Sequence, residues 1–224
     1  MQRSKACLVA LSLFALAAVP SLAAAGSFGV EAFGSFNTYS MKDVNDGLAS
    51  RTGSTFDDVA NGLSGGLGAR MWANQNWLLS ANWEPLRASS ENTSTTPSQK
   101  YNVNASSFQV SGTYFMPSAT NSRYGFGAGL GYYSISGEDE ASTPATKIEG
   151  SGAGFHFQGV GEWSMNKQFS VTGTAGYRLA NIEMKDSNGN PVPVSSTNPA
   201  NATADYSGFI GRVGLVMYFP SSSK

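Results

Sequence analysis

The sequence predicts an all-β fold: an eight-stranded antiparallel transmembrane β-barrel, an up-and-down meander that follows a cleaved signal peptide. Three observations lead there. Apolar residues recur with period two in eight segments, the connections between segments alternate strictly between short and long, and the ionisable residues within segments lie on the parity opposite the apolar one.

The first element is the leader. Arg3 and Lys5 precede an apolar run from Leu8 to Val19, and Ala23, Ala24 and Ala25 supply a small-residue cleavage site before Gly26, so residues 1–25 read as a signal peptide. A membrane helix needs ~20 apolar residues, more than this run contains. The single cysteine, Cys7, leaves with it, which removes disulfide and thiolate chemistry from the mature chain. Arg3 and Lys5 leave too. The 14 Lys and Arg become 12 against 15 Asp and Glu, a net charge of −3 that gives no footprint for nucleic acid. Charged residues are 13% of the chain, about half the share usual in soluble domains.

The barrel is expected over 26–219, with a short tail at 220–224. Its first segment, 27–41, collects Phe28, Val30, Ala32 and Phe36 on one parity; the second, 61–73, collects Leu63, Leu67, Ala69 and Met71. The third, 77–86, gives Trp77, Leu79, Ala81 and Trp83, and the fourth, 106–116, gives Phe108, Val110, Tyr114 and Met116. In the fifth, 124–137, Tyr124, Phe126, Ala128, Leu130 and Tyr132 alternate with Gly125, Gly127, Gly129 and Gly131. The sixth, 152–165, gives Phe155, Phe157 and Trp163; the seventh, 169–182, gives Phe169, Val171, Ala175, Tyr177 and Leu179. The eighth, 205–219, gives Phe209, Val213, Leu215, Met217 and Phe219.

Three connections, at 74–76, 117–121 and 166–168, are tight, while those at 42–60, 87–105, 138–151 and 183–204 are long and polar. Short turns at one end and long loops at the other is the plan of bacterial membrane barrels, turns in the periplasm and loops outside the cell. Closure follows from the solvent, because in lipid every backbone N–H and C=O must find a partner within the protein.

With the apolar parity toward lipid, Glu31, Arg70, Glu84, Glu162, Arg178 and Arg212 face the lumen, three acids against three arginines that are expected to pair and plug it. A lipid-facing Arg or Lys at the midplane would cost ~2–4 kcal/mol, the physical cause of that sorting. An eight-stranded barrel is only just wide enough for its own side chains, so the glycine row of the fifth segment is expected to make room for the long Arg and Glu side chains. Phe28, Trp77, Tyr114, Tyr124, Trp163, Phe169 and Phe219 gather at the turn end as an aromatic girdle. Trp72 points inward with no role that the pattern supplies.

The chain resembles the eight-stranded outer-membrane barrels of Gram-negative bacteria, the group of the OmpA transmembrane domain, the OmpX-like proteins and the opacity-type proteins. The resemblance rests on the pattern over 26–219 and on the last strand, GFIGRVGLVMYFP, which looks like the signal read by the barrel-assembly machinery. It departs from the class where Pro220 to Lys224 follow Phe219, since an aromatic is usually the final residue. The resemblance implies outer-membrane lipid and lipopolysaccharide as surroundings.

Chemistry is sparse. The one histidine, His156, lies on the inward parity, and two residues on, where lipid A deacylases of this fold carry a serine, stands Gln158. No catalytic, cofactor or metal residues are assigned: a second histidine and GxGxxG spacing are absent. The stretches SSENTSTTPSQK and SNGNPVPVSSTNPANAT suit water-facing loops that fix no single conformation. The expectation is an outer-membrane monomer without enzyme activity, in a structural or surface-interaction role, whose loops contact host, phage or neighbouring cells. The alternatives are a narrow channel for small or apolar solutes and a lipid-modifying enzyme.

Overall fold

The computed structural model describes residues 27–51, 56–92, 99–118, 121–139 and 146–219, so the expected signal peptide and tail lie outside the described residues. Eight long strands are present: β1 (Phe28–Thr38), β2 (Asn61–Trp72), β3 (Trp77–Leu86), β4 (Gln99–Phe115), β5 (Ser122–Asp139), β6 (Thr146–Ser164), β7 (Phe169–Leu179) and β8 (Gly208–Phe219). A helix, α1 (Lys42–Ala49), follows β1. Each strand pairs antiparallel with the next, and β8 returns to β1, closing the barrel.

The register fixes the geometry. Phe28 faces Met71, and the ladder continues through Leu79, Gly112, Ala128, Phe157 and Tyr177 to Phe209. Phe209 precedes Ile210, the partner of Asn37, so the circuit that left β1 at Phe28 returns opposite Thr38, ten residues along. At about 3.3 Å per residue and about 4.8 Å between strands, that stagger over eight strands means a tilt of about 40°. A ten-residue stretch then rises about 25 Å, the height of an apolar band. The outward face carries it: Leu63, Leu67, Phe126, Leu130 and Val213 are 60–74% exposed.

Two of the tight turns are closed by one device. The Asn74 side-chain oxygen accepts the backbone N–H groups of Asn76 and Trp77, and Asn166 does the same for Gln168 and Phe169. An asparagine that bonds its own downstream backbone reverses the chain in three residues.

The loop end departs from expectation. Strands β4, β5 and β6 run for 17, 18 and 19 residues, and so project about 20 Å beyond a 25 Å band. The alternation inverts there. In the band Phe108, Val110 and Tyr114 face out, whereas beyond it Tyr101, Val103, Ala105, Tyr133, Ile135 and Ile148 face in and are buried, leaving Lys100, Ser136, Lys147 and Glu149 outside. The sequence-based segments stop short, at 106 for β4 and 152 for β6, because the apolar parity on which they rest changes sides at the membrane surface.

Nor do the described loop residues lack a fixed conformation. Ser89–Asn92 pairs with β4, Lys185–Asp186 with β6, and Asn181–Glu183 with Thr203–Asp205. Val44 and Leu48, one turn apart on α1, bury against Met41, Val59, Tyr101, Ile148, Ile182, Met184 and Tyr206. Asp43 accepts both the backbone N–H and the hydroxyl of Thr203, tying the first loop to the last. Composition alone misjudges SNGNPVPVSSTNPANAT, because three of its few apolar residues, Val192, Val194 and Ala202, lie in or against this core.

Candidate functional site

The site is the lumen and the cap over it. Five layers fill the interior, beginning at the turn end with an apolar floor of Trp72, Leu78, Phe115 and Val160, against which Tyr218 packs. This gives Trp72 its role: its ring lies 5.0 Å from that of Phe115, and the Arg123 guanidinium covers it at 4.9 Å. Above the floor Arg70 stands between two acids, 3.4 Å from Glu162 and 3.9 Å from Glu31. The Thr172 hydroxyl donates to Glu31 at 2.6 Å, and the Tyr218 hydroxyl to Glu162 at 3.1 Å. The third layer is a small cavity of about 20 Å³.

The fourth layer centres on Glu84, which is fully buried. Its carboxylate accepts hydrogen bonds from Ser35 (2.5 Å), Asn37 (3.0 Å) and Ser64 (2.8 Å), and from Arg212 at 2.5 Å. Arg212 also donates to the Gln109 carbonyl oxygen at 2.9 Å and lies over the Phe33 ring. A buried charge persists only when its lone pairs and protons are matched, and here neighbouring strands supply the match.

The six expected lumen charges all lie inside the barrel, but they do not form three pairs. Arg178 has no carboxylate within ion-pair range among the described residues. It donates instead to the backbone carbonyl of Tyr206 (2.9 Å) and the side-chain oxygen of Asn37 (3.3 Å), with the Tyr133 ring at 5.9 Å. The glycine row also has other neighbours than the expected long charged side chains. A Cβ on Gly129 would stand 2.6 Å from His156, one on Gly131 would stand 2.8 Å from the Tyr133 ring, and one on Gly125 would stand 3.0 Å from Phe115. Rings, not guanidiniums, take the room beside these three glycines, and the Thr113 hydroxyl takes it beside Gly127. His156 is 1% exposed, closed in between β5 and β7.

The fifth layer is the underside of the cap. Tyr39 packs edge-on against Tyr206 at 5.3 Å, and the Tyr206 hydroxyl donates to the Val103 carbonyl. Burial pushes the Tyr39 phenol up to about 12, although the nearby Arg178 cation acts in the other direction. Burial raises Tyr101 and Tyr206 as well. A folded-state value above the unfolded one means stability that is complete below the unfolded value and lost as pH rises through the folded one. The cap should therefore hold at pH 9 and loosen between about pH 10 and 12. Tyrosinate absorbance near 295 nm should rise together with loss of near-ultraviolet dichroism; phenols that titrate near 10 with the cap intact would refute this.

Outside, the turn-end girdle is built of cross-strand ring pairs: Phe28 with Phe219 (6.0 Å), Trp77 with Tyr114 (5.5 Å) and Tyr124 with Trp163 (6.1 Å), with Phe169 on β7. A second girdle circles the loop end of the band, made of Phe36, Trp83, Phe108, Tyr132, Phe155 and Phe209. The pattern reading missed it, though its signal is present in single strands, where Tyr124 and Tyr132 share a face eight residues apart. Two rings of aromatics at the two interfaces of an apolar band mark a membrane-spanning barrel.

Among the described residues no three His, Asp or Glu side chains converge as a metal ion would need. At the loop end a cleft of about 610 Å³ opens between α1, the projecting strands and the last loop. Val44, Leu48, Tyr101, Ile148, Met184 and Val192 form its apolar walls, and Asp43, Asp139, Asp186 and Arg51 its polar ones. Arg51 grips Asp139 with both terminal nitrogens (2.9 and 2.6 Å) and lies beside the rings of Phe56 and Tyr101.

No family model matches the chain, and no curated protein matches it. Solved structures do. Neisserial surface protein A is 13% identical, with a TM-score of 0.54 over 86% of this chain and 97% of its own. The outer membrane protein OprG from Pseudomonas aeruginosa is 13% identical, with a TM-score of 0.56 over 87% and 96%. A major outer membrane protein from Thermus thermophilus is 12% identical, with a TM-score of 0.53 over 87% and 100%. At such identities the likeness is one of fold: this chain has the fold of the outer-membrane β-barrels, and its twin girdles and apolar band suit that membrane.

Proposed function

We propose that the chain is a non-conducting, non-enzymatic surface protein of the outer membrane, whose loop end faces out of the cell and binds a partner through the cap. The observation that carries this reading is the cap itself. The described parts of the first and last loops bury an apolar core directly over a lumen already filled by the Glu84 and Arg70 networks. A path for solutes would have to break both, whereas a binding surface needs that rigidity. The cleft of about 610 Å³ falls within the range of small-ligand sites. Its apolar walls, with three carboxylates against one guanidinium, suit a basic, apolar ligand such as a peptide segment of a host, phage or neighbouring-cell protein. Lipopolysaccharide would surround the loop-end girdle, and the barrel-assembly machinery would insert the chain.

Against enzyme activity, His156 is enclosed, and neither it nor Gln158 faces the lipid where an acyl-chain enzyme must work. The deciding measurement is single-channel conductance in planar bilayers. Traces should stay at leak level with the native chain; stable, reproducible openings would make it a channel instead.

A further inference from the structure

The cavity between the two ionic layers is bounded by three polar side chains that the fold leaves incomplete. Arg70, Asn82 and Arg212 are 3, 7 and 8% exposed, and all three line it. Asn82 Oδ1 and Arg212 Nε have no hydrogen-bond partner among the described residues, and Arg70 Nη1 makes only its ion pairs with Glu162 and Glu31, without a hydrogen bond. Buried polar atoms are almost always bonded, to protein or to ordered water. Three such atoms on residues that line one small space are an observation about the space. Its volume, about 20 Å³, exceeds the ~10–15 Å³ that a single water requires.

We propose that this cavity is a binding site for one neutral, water-sized molecule that both accepts and donates hydrogen bonds, namely a permanently bound water. Its oxygen accepts from Arg70 Nη1 and Arg212 Nε, and one of its protons goes to Asn82 Oδ1. The lining decides against ions. A cation would meet two guanidiniums. A halide would meet the Asn82 carbonyl oxygen and the Glu31 carboxylate, which also lines the cavity. Water alone among the small candidates reverses its polarity to suit both sides. The bound molecule would join the Arg70 layer to the Glu84 and Arg212 layer, making one hydrogen-bonded column of two clusters that the protein atoms leave separate.

The sign of one substitution separates a wet cavity from a dry one. Asn82→Leu fills the space with an apolar group. If water is bound there, the variant expels it and strands two guanidinium N–H groups, so the urea unfolding midpoint in lipid vesicles should fall. If the cavity is dry, the variant removes an unbonded carbonyl and fills a void, and the midpoint should rise, overturning the proposal. Should the variant not fold, the native chain carries the test: crystals soaked in bromide should show one water peak in the cavity. An anomalous bromide peak there, or an empty cavity, would overturn the assignment.

Discussion

Replacing Arg212 with Met is expected to lower the unfolding free energy by about 3–5 kcal/mol, the cost typical of removing one partner from a buried ion pair. The reason lies with Glu84. It is fully buried, and the substitution deprives it of the one cationic partner it has among the described residues while Ser35, Asn37 and Ser64 remain as neutral donors. The Gln109 carbonyl oxygen loses its donor as well. Methionine restores most of the volume over Phe33 but none of the charge. Adding Glu84→Gln to the variant should recover most of the loss, because the stranded charge then disappears. Urea titrations of the folded, heat-modifiable form on gels read both effects. An unchanged midpoint for the single variant would mean that bulk water reaches Glu84.

Ala128→Arg should cost about 2–4 kcal/mol, as expected for arginine near the bilayer midplane. Ala128 is exposed on the outward face of β5, midway between Tyr124 and Tyr132 of the two girdles. Ser136 is on the same strand and the same face, eight residues closer to the cap and past the ring of Tyr132. Arginine at Ser136 should therefore change stability by only a few tenths of a kcal/mol, as at ordinary surface positions. The contrast between the two variants is the informative quantity, since side-chain size and strand propensity cancel within it. Equal costs would refute the placement of the membrane between the two girdles.

How much of this is legible in the sequence depends on which solvent a residue meets. Inside the band, lipid without and a crowded lumen within impose one parity, and the eight strands with their six inward charges follow from it. Beyond the band water lies outside, the apolar parity moves to the other face, and the rule that finds Phe108 and Val110 hides Val103 and Tyr101. Partner identity inside the lumen is less legible still. Parity places Arg178 within the barrel, but only the folded cap brings the Tyr206 carbonyl to it, and only the register sets His156 against Gly129. Trp72 reads as an exception in isolation; it becomes the floor once Phe115 arrives from a strand some forty residues on.

Strands β4, β5 and β6 pass from barrel to cap without a break. No hinge divides the two, so the cap is a pedestal and not a lid. Whatever docks on it is presented at one height and one angle above the lipid, and a pull applied there would load the barrel wall directly.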